Sequence, residues 1–437
     1  MNKLNSYTFF TAVFALLFIF SSNALAQSDE SSIGKSGSFY SLFGMGFPVE
    51  TNTSRELSMG ISGISLDNAQ SNGLHNPALW GTNTFSTAST GFSLSKFLSE
   101  DNTTESKNTA LQAGYLQLTF PVYREKLGIS ASLHPVTRSN YRFFNTSSIL
   151  NEQNQTIDYA SDAYGTGGIS KFEIGFGWSI NKNISVGYAP SLVFLSQNNS
   201  RELFFDDGSF TTNVIDSKIT GSDFSHKFGL LASFPTIFSD RDRVSFGATA
   251  ILPVEINTKE SILGSRQVNN QVQEVTLDEN VGGKAELPLE LNSGFTYYPS
   301  TLFNVSLEGK FQQWSETNFN LNTTNDTFEL SDRYKLGLGA EYHAYRTNSN
   351  SFFSNFRYNA GMAYDSGHLK TAQENINTLW FSAGLGIISP FSNSTIDLSA
   401  RYGLRGTTAN DLIQERIWSF NISVNLTELM FFRPKLN

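Results

Sequence analysis

A two-residue alternation recurs along most of the chain and constrains the fold more than any other feature. Trp418, Phe420, Ile422, Val424 and Leu426 are apolar, whereas Ser419, Asn421, Ser423 and Asn425 between them are polar. Successive side chains of an extended strand point to opposite faces, so this stretch has one apolar and one wet face. The same pattern returns in Phe172 to Ile180, Ile184 to Phe194, Val244 to Leu252, Tyr334 to Tyr342 and Phe381 to Ile387. At about 10 to 16 residues these segments exceed ordinary globular strands and match tilted strands that cross a bilayer. A soluble sandwich would set its apolar face against charged residues, whereas here Phe and Leu alternate with Ser and Asn.

The connections alternate as well. Short turns are expected at Pro121 to Glu125, Asn181 to Asn183, Thr236 to Asp242, Pro299 to Thr301, Arg346 to Ser351 and Ser389 to Asn393. Longer polar loops are expected at Leu98 to Lys107, Asn145 to Gly168, Asn198 to Gly221, Asn257 to Gly283, Glu316 to Ser331, Ser366 to Asn375 and Leu404 to Ile413. Short turns on one rim and long loops on the other are the asymmetry of an outer-membrane barrel. The expected fold is all-β, a transmembrane antiparallel β-barrel of about 14 strands.

Composition agrees with that reading. The chain has 38 Phe, 16 Tyr and 34 Gly but only 16% charged residues, as lipid-facing strands and aromatic girdles require. It has no cysteine, which removes disulfides, lipoprotein attachment and thiolate metal sites. A net charge of −9 argues against nucleic acid, whose phosphates need a basic surface. Lys3, the apolar run Tyr7 to Phe20 and Ala24-Leu25-Ala26 read as an export signal over residues 1–26. The remainder divides into an N-terminal periplasmic segment and hatch (27–82), the barrel (83–427) and a periplasmic tail (428–437), where Pro434 cannot donate to a ladder.

Gly60 to Gly81 has no strand period, contains Asn76-Pro77-Ala78 and is rich in small residues such as Gly73. A barrel of about 14 strands is too wide for its own side chains to fill, so an inner segment plugging the lumen is expected. Asn76-Pro77-Ala78 after a glycine-rich stretch resembles the hatch of the FadL family of outer-membrane transporters for long-chain fatty acids and other hydrophobic compounds. Farther on, Leu287-Pro288, Gly294-Phe295, Tyr297-Tyr298, Gln313-Trp314-Ser315, Arg333-Tyr334, Gly337 to Gly339, Arg357-Tyr358, Gly361 and Ala363 to Asp365 resemble, in order, that family's strand pattern. The resemblance implies a hatch-blocked barrel of 14 strands that captures hydrophobic ligands outside and releases them sideways through a kink in the wall. Ser54 to Gly60 also looks like the N-terminus of PorV-type barrels, relatives that serve protein secretion, and Leu66 to Ser71 departs from the acidic, alanine-rich approach of the transporters.

The candidate hatch or gate residues are therefore Gly73, His75, Asn76, Pro77 and Ala78, with His75 either titrating in the hatch or lying in an ordinary turn. Phe143, Phe144, Ile149, Leu150, Leu203, Phe204 and Phe205 are candidates for ligand capture or for an aromatic girdle. Pro190 and Pro253 are places where the wall ladder could open. The five histidines lack metal-ligand spacing, and no catalytic elbow or phosphate loop stands out, so neither enzyme, metal nor cofactor is expected. Asp206-Asp207 and Asp240/Asp242 read as solvated loops, or as cation-bridged contacts with lipopolysaccharide. The expected function is passive uptake of hydrophobic small molecules such as long-chain fatty acids by a monomer in the outer membrane of a Gram-negative bacterium, in contact with its lipid and lipopolysaccharide. The alternative is a protein-docking barrel in secretion.

Overall fold

The computed structural model describes residues 37–428 apart from 69, 151–153, 155, 206–210, 269–270, 321–328, 344–355, 372–373 and 390–392. The expected export signal, the tail beyond Glu428, Asp206-Asp207 and the Arg346 to Ser351 turn lie outside the described residues. In chain order come β1 (Phe47–Pro48), the short helix α1 (Ser54–Ser58), β2 (Ser86–Glu100), β3 (Glu105–Tyr123), β4 (Leu127–Pro135), β5 (Thr137–Leu150), β6 (Thr156–Ser179), β7 (Ile184–Phe205), β8 (Asn213–Pro235), β9 (Arg243–Ile251) and β10 (Val254–Val268). The second half holds β11 (Gln271–Leu287), β12 (Glu290–Ser300), β13 (Phe303–Gln312), β14 (Phe319–Asn320), β15 (Glu329–Leu330), β16 (Arg333–His343), β17 (Phe356–Asp365), β18 (Leu369–Thr371), β19 (Glu374–Asn375), β20 (Thr378–Ile388), β21 (Thr395–Arg405) and β22 (Gln414–Glu428).

Wall neighbours pair antiparallel, and β22 returns to β2 in register from Ser86 opposite Glu428 to Glu100 opposite Gln414, which closes the barrel. β4 with β5, β9 with β10, and β11 with β12 are halves of interrupted strands, so the closed wall has 14 strands, as the sequence period predicts. Phe92, Leu116, Phe172, Trp178, Phe228, Leu338, Phe381 and Phe420 are exposed and form the outer apolar band, while the alternate residues Ser89, Gln117, Glu173, Glu308 and Asn421 are buried inward. Closure removes the free edges that a sheet could not leave in lipid.

Three of the long loops differ from expectation. Much of the stretches written as Asn145 to Gly168, Asn198 to Gly221 and Asn257 to Gly283 is paired strand. β6 alone has 24 residues, about 80 Å when fully extended, well beyond the roughly 9 to 11 residues that cross a bilayer. Past the membrane both faces meet water, so the hydrophobic alternation vanishes while the ladder continues. Gln271 to Asn280 are exposed at every position, which is why no period betrayed that strand.

The wall is interrupted where β4 hands over to β5 at Val136. β3 pairs with β4 from Tyr123 up to Leu116 opposite Leu133, yet above that point it has no ladder to β5. On its other side β5 stays paired to β6 from Ser139 to Leu150. The result is a lateral gap between the upper half of β3 and β5. Pro190 interrupts pairing only locally, on the β6 side, and Pro253 marks the β9–β10 break.

Candidate functional site

The described residues of 51–82 lie inside the barrel, buried against inward-facing glycines of the wall. Thr53 opens α1 with a reciprocal capping box, its hydroxyl accepting from Glu56 N and the Glu56 carboxylate accepting from Thr53 N. Burial pushes the Glu56 carboxyl up to about 7. The side chain of Arg55 turns to the wall and donates to both oxygens of Glu341 at 2.6 and 2.7 Å, both residues being buried. On the same wall the Glu308 carboxylate accepts from Ser62 N at 2.6 Å and Ile64 N at 2.7 Å. Arg243 reaches Asp67 at 3.2 Å. The segment is thus tethered to β9, β13 and β16 by charged groups whose removal from water is compensated only while the partners stay together.

Asn76 organises the next turn. Its side-chain oxygen accepts from Ala78 N at 3.0 Å, its amide donates to Ile64 O at 2.8 Å and to Leu230 O at 3.0 Å, and Pro77 begins a short 3-10 helix over Pro77–Thr82. Pro77 and Ala78 press against Gly187 of β7, where any Cβ would overlap the Pro77 carbonyl carbon. Gly361 of β17 receives Met59 in the same way on the other side of the lumen. His75 Nε2 lies 2.7 Å from Thr51 O and 2.6 Å from Asn52 Oδ1. Burial, with the Lys310 and Lys227 cations, holds its ring down to about 3, so it is neutral at ordinary pH.

A second inner segment, residues 37–50, forms a strap along the gap. Gly37 N donates to Asn140 O at 2.9 Å, Phe47 and Pro48 pair with Arg138 and Thr137, and Val49 N donates to Val136 O at 2.9 Å. The strap therefore covers the edge of β5 that β3 leaves open. Its far side is clamped by side chains: Glu50 accepts from Lys335 at 2.5 Å and Arg401 at 2.6 Å, Ser38 Oγ and Phe39 N donate to Glu415, the Tyr40 hydroxyl donates to Ile413 O, and Arg405 lies over the Phe47 ring. Burial alone would raise the Glu50 carboxyl, but the Arg401 and Lys335 cations outweigh it and hold it far below the usual carboxylate range. A cavity of about 150 Å3 lies between strap, gap and far wall, lined by Phe92, Phe97, Trp380 and Ile417 among the apolar groups. Four arginines, Arg138, Arg333, Arg401 and Arg405, face it against two carboxylates, Glu50 and Asp365.

The expected hatch residues Gly73, His75, Asn76, Pro77 and Ala78 thus come together in the lumen. The expected capture residues divide. Phe143, Leu203 and Phe205 share one face of the extended sheet, and Phe144 and Phe204 share the other, because direct cross-strand partners point the same way. Phe143 packs edge-on against Phe39 of the strap with ring centroids 5.5 Å apart. Ile149 and Leu150 remain exposed at the tip of β5. Within the N-terminal segment expected over residues 27–82, neither Phe39, Tyr40, Phe47 nor Glu50 stood out in the sequence, and Arg138 and Arg401 did not stand out in the wall; aromatics spaced through the Ser/Gly-rich run Ser28 to Ser54 were the available signal. Among the described residues no group of three His, Cys, Asp or Glu is placed to hold a metal.

A sequence-family profile described as BamG matches residues 9–437. No curated protein matches the chain. Among solved structures, a Pseudomonas aeruginosa FadL homologue aligns with TM-score 0.56 at 12% identity, covering 87% of this chain and 99% of that one. The Ralstonia pickettii toluene transporter TbuX aligns with TM-score 0.55 at 13% identity, covering 87% and 98%. The CymD monoaromatic hydrocarbon channel aligns with TM-score 0.53 at 14% identity, covering 88% and 99%. At such identities the likeness establishes the fold, a FadL-type barrel.

Proposed function

The chain belongs to the BamG family, and we propose that it is a plugged outer-membrane barrel that passes hydrophobic small molecules from the outer face sideways into lipid, without chemistry or energy coupling. The observation that carries this reading is the lateral gap between β3 and β5 beside a cavity where Phe92, Phe97, Trp380 and Ile417 stand among polar and charged side chains. The axial route is obstructed by the described residues of 51–82, held by the buried Arg55–Glu341 pair and the partly exposed Arg243–Asp67 pair, whereas the lateral route runs past a cavity in which apolar groups stand beside charged ones. In this reading Gly73 and His75 to Ala78 act as the hatch, and the apolar residues near the β5 and β7 tips gather ligand. Arg333, Arg401 and Arg405 are paired with Asp365, Glu50 and Glu415, so among the described residues Arg138 is the arginine of the cavity without an ion-pair partner, and it favours a ligand with an anionic head, such as a long-chain fatty acid, over a neutral hydrocarbon. Uptake of radiolabelled oleate and toluene by cells expressing the chain, against vector controls, tests the reading. Faster oleate entry is expected, and entry of neither probe with folded protein in the outer membrane overturns it.

A docking role in protein secretion is the second reading. It is favoured by the paired polar extension of β5 to β8 and of β10 with β11, a rigid surface beyond the membrane, and by a lumen closed by two inner segments. Trimming β10–β11 to a short turn separates the two. Loss of a stoichiometric membrane partner with oleate uptake intact supports docking, and loss of uptake alone supports transport.

A further inference from the structure

Beyond the membrane the wall continues as an open sheet, and one of its edges is unguarded. β12 has 11 residues, enough by itself to cross the bilayer, so β11 stands outside it. There β5, β6, β7, β8, β10 and β11 pair in that order, which leaves β5 and β11 as the edge strands. The edge of β5 begins under the strap. β11 lies at the opposite end of the sheet, and from Gln271 to Gly283 β10 is its one ladder partner among the described residues. Nearer the membrane the same edge does take a strand, because β14 adds to it antiparallel with Asn320 opposite Lys284 and Phe319 opposite Ala285. The edge is therefore competent to receive a strand, and the described chain supplies one for two residues only.

Edge strands ordinarily carry a lysine, a proline or a cover that stops another chain from pairing with them. Gln271 to Gly283 contains no lysine, arginine or proline. It does contain strand formers, of which Val272, Val275 and Leu277 are 67%, 53% and 54% exposed. Its charged residues are Glu274, Asp278 and Glu279. The neighbouring cations are engaged elsewhere: Lys284 pairs with Glu255 at 2.7 Å, and Arg266 Nε donates to Gln273 at 3.3 Å. These carboxylates select the occupant. A second copy meeting β11 by its own β11 would bring like charges together across the ladder, whereas a cationic strand gains both backbone bonds and opposite-charge pairs.

We propose that the edge of β11 from Gln271 to Gly283 docks an extended segment of a partner protein that carries lysine or arginine at alternate positions, held by antiparallel strand addition as β14 is. This deepens the docking reading above and rests on it, naming the edge and the chemistry of what binds there.

The full chain in lipid nanodiscs is tested against three short synthetic peptides: alternating lysine and valine, alternating glutamate and valine, and the lysine peptide with two valines replaced by proline. By fluorescence anisotropy at low salt the lysine peptide is expected to bind at least about tenfold more tightly than either of the others. It is also expected to slow hydrogen exchange of the amides of residues 272–282 at least about tenfold. Equal binding of the lysine peptide and its proline form overturns strand addition, because proline removes ladder donors and keeps the charge. Slow exchange of those amides in the free chain overturns the vacancy of the edge. Glu274→Gln with Asp278→Asn and Glu279→Gln keeps the hairpin and is expected to weaken the lysine peptide roughly tenfold, the sum of three opposite-charge cross-strand pairs. Unchanged affinity overturns the selection by charge, and a dimer of the chain that the lysine peptide dissociates overturns the partner in favour of a second copy. The docking reading fails separately. If trimming β10–β11 costs no membrane partner, docking falls whatever the peptides do; if it costs a partner that the triple variant retains, docking stands and the cationic edge falls.

Discussion

The two inner segments obstruct the same barrel by different physics. Residues 51–82 are moulded to the lumen on opposite sides, with Pro77 on Gly187 and Met59 on Gly361, so that backbone lies on backbone and no side chain can swing away to open a path. The strap rests on one strand edge, meets it backbone to backbone at Gly46, packs Met45 and Tyr40 into apolar clusters, and is fastened on its other side by side-chain clamps at Glu50, Ser38 and Tyr40. A shape fit yields only by a wholesale shift, because close-packed interiors do not deform gradually. Polar clamps around a free edge exchange for others one at a time. The first segment is suited to being a fixture and the second to being moved.

The largest test of that difference is Gly187→Val. A branched side chain against the Pro77 carbonyl carbon leaves no room to seat the inner segment, and the cost is expected to exceed about 4 kcal/mol, the range of severe packing defects. Loss of the heat-modifiable folded band, or a new ion conductance in planar bilayers, is the expected result. A folded, non-conducting variant breaks the shape-fit account. Next in size is Arg55→Ala, which leaves Glu341 facing Arg357 without its bidentate partner. Losing one partner of a buried pair costs up to about 3–5 kcal/mol, here reduced because Arg357 and Asn304 still reach Glu341, and is read as a lower midpoint of urea unfolding from lipid vesicles.

Glu50→Gln is expected to be milder, about 1.5–3 kcal/mol for weakened charge-assisted bonds, and confined to the strap. Faster reagent labelling of a Ser41→Cys reporter, with an unfolding midpoint moved less than by Arg55→Ala, sharpens the contrast; equal midpoint shifts erase it. Acid supplies a related test. Because the folded Glu50 carboxyl is depressed by Arg401 and Lys335, its contribution is present above the ordinary carboxylate range and is lost only as pH falls through the much lower folded value. The strap is therefore expected to keep the same Ser41→Cys protection, the labelling rate relative to a free thiol at the same pH, from pH 7 to pH 4, and release near pH 5 contradicts the clamp. Smallest of all is Lys284→Ala, which removes an exposed, solvent-screened pair with Glu255 outside both segments and is expected to leave the unfolding midpoint where it is.

Much of this was legible in the sequence, for reasons that differ by region. In membrane-crossing strands lipid demands apolar residues on one face, so Phe172 to Trp178 and Trp418 to Leu426 carried a period of two and gave class and strand number. Beyond the membrane that demand ends, and Gln271 to Asn280 read as loop although they are strand. Asn76-Pro77-Ala78 was visible because a proline after a capping asparagine fixes a local turn. Arg55 with Glu341, Arg138 with Ala113, and Glu50 with Lys335 and Arg401 join residues far apart in the chain, and no local pattern announces such partners.

By itself, the sequence determined that this chain closes into a wide wall with one face to lipid and needs something inside it. Periodicity is a local property, and the width of the lumen follows from the number of strands. Only the tertiary structure decided that two segments share the interior, that the wall parts between β3 and β5, and that the strap lies along that parting. Those facts depend on which edge lacks a partner and which buried charges meet, and both are settled only when the barrel closes.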